Sequence, residues 1–273
     1  MGKILGSLEL NRIYHWDCIK GMKLLPDNCI DLGIPDPPYN IGREGAKVKL
    51  KKGYEAINES WDNIEDYETF TTDWLRECFR VLKPGGSILC YGSHHSIFIT
   101  GYVMRQLGFK IKTQYVWRKK NPPPSFLGTN ATYATEFIIL ATKPDGPMTY
   151  NLDYAKAINN GKNIQNVFET ALTPKREKTH GKFPCQKPLQ LAVKLIQLHS
   201  NINDTILIPF CGSGTEAVAS VLTNRSFISF ETNREYIELA NNRLDDISMQ
   251  EDLIDSQLLN PFEKEQDNRK NIS

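Results

Sequence analysis

Short apolar segments with strand character alternate with helical segments over most of the chain, and this alternation limits the possible folds most strongly. The patterns predict strands at Cys29–Pro35, Ser87–Tyr91 and Thr205–Ile208, and helices at Asp66–Leu82 and Leu189–His199. A helix between two strands lets the second strand run parallel to the first. The sequence therefore predicts an α/β fold with a mainly parallel sheet and helices on both faces.

Two unusual loops directly follow predicted strands. The first is Asp36–Asn40, where two successive prolines prevent the strand from continuing. The second is Phe210–Thr215, which follows the strand at Thr205–Ile208 and opens a helix. Ligands of parallel α/β sheets bind beyond the carboxyl ends of the strands, so both loops are predicted to border a site.

The glycine-containing loop has features of a nucleoside-binding turn. Gly212 and Gly214 stand at alternate positions, where a ligand can approach the main-chain N–H groups closely. Glu231 ends the next predicted strand, 19 positions after Gly212. An acidic residue at this sequence separation suits hydrogen bonds to a ribose diol. Because no third glycine follows, an adenosine-containing ligand without a pyrophosphate fits better than NAD. Taken alone, the two glycines are equally typical of an ordinary turn.

The proline-containing loop has features that suit an amine substrate. The carboxylate of Asp36 and the carbonyl of Pro37 could each accept one amino hydrogen, which keeps the nitrogen lone pair out of ring conjugation. Tyr39 offers a flat face on which a planar base could stack. The two prolines make the loop stiff, so this geometry would be preorganised. The alternative is an ordinary turn after a strand.

The charge is unevenly distributed although the net charge is only +1. Residues Asp245–Ser273 include eight acidic and three basic residues, a net charge of −5, so the rest of the chain carries +6. We expect this end to form a short helix and a frayed tail that points away from any polyanion bound by the rest of the chain. Basic clusters suit a polyanion, although solvated surface lysines are the alternative. The clusters are Arg43, Lys47, Lys49, Lys51 and Lys52; Arg118, Lys119 and Lys120; and Lys175, Arg176, Lys178, Lys182 and Lys187.

The six cysteines form no CxxC pair and lie in apolar runs. They are typical of reduced thiols in a cytoplasmic protein, and no metal site is predicted. No segment approaches the roughly 18 apolar residues that a membrane helix needs, so no membrane partner is expected.

The two loops together resemble the DNA amino-methyltransferases. Asp36-Pro37-Pro38-Tyr39 is similar to the catalytic motif of that family, and the segment Pro209–Thr215 to its S-adenosylmethionine motif. The catalytic motif comes first, which is the circularly permuted order of the β group and implies a Rossmann-like fold. Further similar segments are Asp17-Cys18, Trp61-Asp62, Leu82–Ser87, Trp117–Pro124, Glu136-Phe137 and Lys182–Pro188.

The resemblance implies methyl transfer from S-adenosylmethionine to the N6 amine of an adenine flipped out of duplex DNA. The aspartate-first catalytic motif favours adenine; cytosine N4, or an amine of RNA or protein, is the alternative. Asp36, Pro37, Pro38 and Tyr39 would be catalytic. Cofactor residues would be Asp17 and Cys18 near the adenine, Lys187 near the carboxylate end, and Phe210, Gly212, Ser213, Gly214, Thr215 and Glu231 around the pocket.

The resemblance also implies an organisation and partners. We expect a catalytic half at 1–120, a target-recognition region at 121–180, a cofactor-binding half at 181–247 and an acidic tail at 248–273. The basic residues at 43–52 and 118–120 would face double-stranded DNA. A homodimer and a companion restriction endonuclease are further expectations.

Three residues depart from the family pattern. Ile208 replaces the aspartate that helps to hold the methionine ammonium of the cofactor, and Phe183 and Cys185 replace a histidine and a threonine. Loss of one charged contact predicts cofactor binding weaker by about 10- to 100-fold. Ile208→Asp is accordingly expected to tighten binding. A DNA-binding subunit with impaired cofactor binding is the alternative to an active enzyme.

Overall fold

An eight-stranded sheet forms the centre of the computed structural model, which describes residues 3–41, 60–125 and 131–261. A separate pair of short strands, β1 (Ile4–Leu5) and β2 (Leu8–Glu9), precedes it. The spatial order of the large sheet is β3-β10-β9-β4-β5-β7-β6-β8. Its strands are β3 (Arg12–Tyr14), β4 (Ile30–Gly33), β5 (Leu82–Gly92), β6 (Lys110–Lys119), β7 (Thr135–Thr142), β8 (Val167–Thr170), β9 (Thr205–Ile208) and β10 (Ser226–Phe230).

Helices cover both faces of the sheet, as predicted. Side-chain caps begin several of them: Asp17, Asp66 and Asn233 each accept a hydrogen bond from a first-turn backbone N–H. The described helices are α1 (Cys18–Met22), α2 (Tyr67–Val81), α3 (Ile97–Gln106), α4 (Leu152–Ala157), α5 (Leu189–His199), α6 (Thr215–Leu222), α7 (Arg234–Asp245), α8 (Ile247–Asp252) and α9 (Ser256–Leu259). In the described parts of the chain, no helix is both long and apolar enough to span a membrane.

The sheet separates two apolar layers because successive strand residues point to opposite faces. Ile206 and Ile208 of β9 join the cluster that includes α5 and α6, whereas Leu207 joins the cluster that includes α1, α2 and α3. Residues of β7 alternate between the two clusters in the same way. These strands are therefore buried on both faces.

The chain reverses its direction of winding between β4 and β9. Both strands run parallel, with Leu32 opposite Ile206 and Gly33 opposite Leu207. From β4 the chain continues to β5 on one side, and from β9 it continues to β10 on the other. This is the topological switch point, where the carboxyl ends of the strands open into a crevice. The two predicted loops follow these two strands.

Residues 143–183 have little periodicity in the sequence, which predicts an irregular segment, and the structure corrects this prediction. Helix α4 and strand β8 lie in this segment, and β8 pairs in parallel with β6 at the edge of the sheet. The predicted recognition range 121–180 also contributes β7 to the interior of the sheet. Short elements such as the four-residue β8 leave little periodicity in a sequence, which explains the wrong prediction.

The acidic end is only partly the frayed tail that its charge suggested. Helices α8 and α9 lie in it, and Ile254 and Leu258 are buried in the α5–α6 side of the core. The Leu258 carbonyl accepts hydrogen bonds from Tyr154 Oη, at 3.0 Å, and from Gln197 Nε2. The acidic segment therefore contains two buried apolar residues, Ile254 and Leu258, which its net charge does not predict.

Truncation after Ile247 is therefore expected to destabilise the protein. Losing two buried apolar side chains removes about 3–6 kcal/mol of hydrophobic stabilisation, at about 1.5–3 kcal/mol each. The measurement is urea unfolding, with truncation after Pro261 as the control that retains Ile254 and Leu258. Equal stability of the two truncated proteins would contradict this packing role. Because the acidic tail is expected to point away from DNA, deletion after Ile247 should also leave DNA affinity and its salt dependence unchanged.

Candidate active site

A cavity of about 480 Å³ lies at the switch point between the two predicted loops. This volume is in the usual range for sites that bind small molecules. Its wall includes both loops and residues from elements before α5 and after β10. The lining residues used below are Asp36, Pro37, Tyr39, Trp61, Asp62, Phe183, Lys187, Phe210, Gly212, Ser213, Glu216, Glu231 and Tyr236.

The carboxylate of Asp36 is held by two partners. Its Oδ2 accepts a hydrogen bond from Lys187 Nζ at 2.7 Å, and its Oδ1 accepts one from Tyr39 Oη at 2.7 Å. Burial raises the pKa of Asp36, and the Lys187 ammonium opposes this shift. Each carboxylate oxygen keeps a further lone pair for another donor. Asp36 is thus fixed in orientation and still able to accept an amine hydrogen.

Lys187 is a buried cation shared by two carboxylates. Its side chain is 3% exposed, and its Nζ lies 2.7 Å from Asp36 Oδ2 and 3.4 Å from Glu136 Oε2. Burial lowers its pKa, but Asp36 and Glu136 together raise it above the ordinary lysine value. The ammonium of Lys187 supports the catalytic loop, and its position near the carboxylate end of the cofactor stays a prediction.

Glu136 completes this charge network, and sequence reasoning gave it no role. It lies near the start of β7, which runs antiparallel to β5 and so brings its first residues to the cavity edge of the sheet. Its Oε1 lies 2.7 Å from Lys119 Nζ. Although burial favours the neutral acid, Lys187 and Lys119 lower the pKa of Glu136. In the sequence, only the similarity of the Glu136-Phe137 pair to a segment of the family indicated a function for Glu136.

The backbone of the proline loop is anchored on both sides of Pro37. The Pro35 carbonyl accepts a hydrogen bond from the Tyr91 amide at 3.0 Å. The Pro38 carbonyl accepts one from Tyr67 Oη at 2.7 Å. These bonds, with the prolines, fix the direction of the Pro37 carbonyl, as a preorganised acceptor requires.

Asp62 holds the backbone that leaves this loop. Its Oδ1 accepts from the Asn40 amide at 2.7 Å and its Oδ2 from the Ile41 amide at 2.8 Å. Asn40, at φ +58°, also exchanges side-chain hydrogen bonds with the backbone of Ile64. The Trp61-Asp62 motif therefore has a positioning function that its sequence alone did not reveal.

The glycine loop is closed by Glu231. Glu231 Oε2 accepts from the Gly212 amide at 2.8 Å, while its Oε1 accepts from the Thr232 and Asn233 amides. Burial raises the pKa of Glu231, and these amide bonds oppose the shift. Glu231 lines the cavity, but its contact with a ribose stays a prediction.

Gly214 is required by both its conformation and its packing. Its φ is +76°, and a Cβ atom there would lie 2.6 Å from the Cβ of Ala240. Gly214→Ala is expected to cost about 2–5 kcal/mol of stability, from left-handed strain plus the clash. Gly161, at φ +77° with no heavy atom near the added Cβ, is the matched control and should lose only about 1–2 kcal/mol. Chemical denaturation measures both; equal losses would contradict the packing argument.

Aromatic rings form one wall of the cavity. Phe183 packs edge-on against Tyr236, with ring centroids 4.8 Å apart, and lies parallel to Trp61 at 6.2 Å. Phe210 meets Trp74 edge-on at 5.4 Å. Such faces suit a planar heterocycle. Phe183 departs from the family pattern and here contributes a ring to this wall.

Not every predicted cofactor residue lines the cavity. Asp17 caps α1 through the Lys20 amide, and Cys18 is buried with a raised pKa because of that burial. Gly214 and Thr215 are not among the lining residues; they lie where the glycine loop turns into α6. Phe210, Gly212, Ser213, Lys187 and Glu231 do line the cavity, together with all four residues of the proline loop.

The predicted DNA-contacting residues fall into two groups. Arg43, Lys47, Lys49, Lys51 and Lys52 lie outside the described residues. Arg118 and Lys120 are exposed at the carboxyl end of β6, whereas Lys119 is mostly buried and pairs with Glu136. Arg118 forms an exposed ion pair with Glu169. Since β6 runs in the same direction as β4 and β5, this end lies at the cavity edge of the sheet.

The cavity fits S-adenosylmethionine. Its cationic end matches the carboxyls of Glu216 and Glu231, and its adenosine matches the aromatic wall and the open glycine turn. Glu216 adds a specific indication, because its Oε1 is buried without a hydrogen-bond partner within the described residues. Fold and cavity together define the class of α/β methyltransferases that use this cofactor.

Comparison with known proteins identifies the family. The family model described as DNA methylase matches residues 30–242, most of the chain. The chain therefore belongs to this DNA methylase family, in its β group, and S-adenosylmethionine is its cofactor. The predictions of fold class, enzyme class and cofactor are confirmed.

Individual relatives agree with this assignment. The Type II methyltransferase M2.MboI of Moraxella bovis is 36% identical over 240 residues, covering 86% of this chain and 88% of the relative. M.HinfI of Haemophilus influenzae is 35% identical over 248 residues, covering 87% and 69%. The crystal structure of the M1.HpyAVI–SAM complex has a TM-score of 0.65 at 25% identity, covering 86% and 98%. The cytosine-N4-specific PvuII enzyme shares the fold, with a TM-score of 0.68 at 18% identity over 95% and 94%.

Proposed function

We propose that this enzyme methylates the N6 amine of adenine in a specific duplex DNA site, with the base flipped into the cavity against the proline loop. The observation that carries this function is the buried carboxyl of Asp36, fixed by Lys187 at the switch point opposite the glycine loop. The bound cofactor supplies an electrophilic methyl group. The chain itself has to position the amine and direct its lone pair.

The proline loop performs this positioning. Asp36 accepts one amino hydrogen and the Pro37 carbonyl accepts the other, so the nitrogen lone pair is directed away from the ring. Lys187 keeps Asp36 ionised and therefore an acceptor. Catalysis then comes mainly from orientation, and no general base stronger than Asp36 is needed. The Tyr39 ring, held through its hydroxyl by Asp36, lines the cavity where a base could stack.

Adenine is the better supported base. The aspartate at the start of the motif and the 34–36% identity to Type II methyltransferases favour it. The cytosine-N4-specific PvuII enzyme shares only the fold at 18% identity. Extruding the base costs a few kcal/mol, which contacts with the proline loop offset.

The DNA-facing surface is proposed at the carboxyl edge of the sheet. Arg118 and Lys120 are exposed there, and the basic segment 43–52 follows the proline loop in sequence. The described parts of 121–180 outside β7 remain the proposed recognition region. Residues 1–120 are the proposed catalytic part, and residues 181–247 are the proposed cofactor-binding part. A homodimer, a companion endonuclease and a cytoplasmic location also stay proposals.

The test is methylation of duplex DNA with methyl-tritiated S-adenosylmethionine, followed by mass spectrometry of the nucleosides. We expect label in DNA and N6-methyldeoxyadenosine as the product. N4-methyldeoxycytidine would support the cytosine alternative. Cofactor binding without methylation of any DNA would contradict the proposed function.

A further inference from the structure

Glu216 is a buried acid that the proposed mechanism does not use. It lies in the first turn of α6, is 4% exposed and lines the cavity. Its Oε1 is buried with no hydrogen-bond partner within the described residues. An unsatisfied buried carboxyl oxygen is costly, so it indicates a partner that is absent from the chain itself.

Two cations, Lys187 and Arg243, lie near Glu216, but neither forms an ion pair with it. Lys187 is committed to Asp36 and Glu136. Arg243 directs its Nη1 to the Ser213 carbonyl and the Thr215 hydroxyl, and its buried Nη2 has no hydrogen-bond partner within the described residues. Among the described residues, no ion pair to Glu216 is formed. A cationic ligand would supply the missing charge.

The ligand of this cavity carries two cations of different chemistry. The sulfonium has no hydrogen to donate, whereas the ammonium donates up to three hydrogen bonds. An unpartnered carboxyl oxygen therefore matches the ammonium. Ile208, which stands where the family pattern has an aspartate, ends β9 fully buried in the apolar core and offers no acceptor.

We propose that Glu216 binds the methionine ammonium of S-adenosylmethionine and so replaces the acid that is missing at position 208. The inference rests on the proposed function, because it assigns a residue of the same cofactor site. It explains how an active enzyme tolerates Ile208. The predicted loss of affinity at Ile208 is then offset by a carboxylate from the neighbouring helix.

Titration of Glu216 gives the proposal a measurable signature. Burial and the Asp36 carboxylate raise the pKa of Glu216 to about 7, while Lys187 and Arg243 oppose the shift. The Tyr91 hydroxyl faces the same carboxyl, which together with burial raises the pKa of Tyr91. Because an ammonium binds the ionised form, cofactor affinity should rise with pH as Glu216 loses its proton.

The experiment is calorimetric titration of the whole protein with S-adenosylmethionine and with methylthioadenosine, which lacks the amino-acid portion. Glu216→Gln, nearly equal in shape, should weaken S-adenosylmethionine binding at least 10-fold and leave methylthioadenosine binding within about 2-fold. Wild-type affinity should rise about 10-fold from pH 5.5 to pH 7.5, and the variant should lose this rise. Glu238→Gln, an exposed change on α7, is the control.

Four results would overturn the proposal. Unchanged S-adenosylmethionine affinity in Glu216→Gln, or the same pH dependence as the wild type, would remove Glu216 from the ammonium site. Equal losses for both ligands would indicate a general distortion of the cavity instead. Failure of the wild type to bind S-adenosylmethionine at all would overturn both the proposed function and this assignment. The other results concern the role of Glu216 alone, so the two kinds of failure are distinguishable.

Discussion

Asp36→Asn is expected to reduce methyl transfer at least about 100-fold while cofactor and DNA binding stay within about 3-fold of the wild type. The amide keeps the shape of the side chain but removes the negative charge that holds an amino hydrogen. Lys187 keeps Glu136 as a partner 3.4 Å away, so the fold should tolerate the change. Single-turnover methylation with excess enzyme measures the loss at the chemical step.

The matched control for this variant is Asp73→Asn. Asp73 forms an exposed ion pair with Arg76 on α2, and exposed pairs contribute about 0–1 kcal/mol. Its methylation rate should equal that of the wild type. Full activity of Asp36→Asn, or a parallel loss of cofactor binding, would contradict the assignment of Asp36 as the acceptor of the amine.

Lys187→Met is expected to affect both stability and activity. It leaves Asp36 and Glu136 buried without their shared cation, which costs about 3–5 kcal/mol of unfolding free energy. Without the Lys187 ammonium the pKa of Asp36, which burial already raises, would rise further, and the protonated acid would accept the amine hydrogen less well. We expect methylation to fall at least about 100-fold, together with a clearly lower urea midpoint.

The pH dependence of this variant has a definite sign. Loss of Lys187 raises the folded-state pKa of Asp36 further above its unfolded value, so folding favours the protonated acid more strongly. The stability deficit relative to the wild type should therefore shrink as the pH falls from 7 to 5. A constant deficit over this range would contradict the charge argument.

Lys194→Met provides the control for Lys187→Met. Lys194 lies half-buried on α5, seven positions further along, and burial lowers its pKa, the opposite of the shift at Lys187. Replacing a partly desolvated lysine that is not shared by two carboxylates should change stability by no more than about 1 kcal/mol. A loss as large as that of Lys187→Met would show that any lysine removed from this helix region is destabilising.

Most of the fold could be predicted from local patterns. The predicted boundaries of β9 and α5 match those of the structure. The error at β5 has a local cause: the strand begins at Leu82 and passes through Pro84 and Gly85, which typically end a strand. The pairing of β5 with β4 shifts its register at this point, and Gly85, at φ +79°, adopts the backbone conformation that the shift requires.

The sequence by itself determined the position of the site, because the proline loop and the glycine loop are each short, contiguous segments that follow a strand. Local stereochemistry decides such features: prolines end the ladder, and glycines allow a positive φ and close approach. The permuted order of the motifs and the enzyme class followed from the same segments.

Only the tertiary structure decided the electrostatics of the site. Asp36 and Lys187 are 151 positions apart, and Tyr39 and Glu136 are 97 apart. Their contacts arise because β4, the antiparallel β7 and the segment before α5 meet at one edge of the sheet. Packing also leaves Glu216 without an ion pair among the described residues and buries Ile254 and Leu258 of the acidic end against the core. The burial of these charged groups and their pairing set their pKa values, and both depend on tertiary packing, so the amino-acid composition does not predict them.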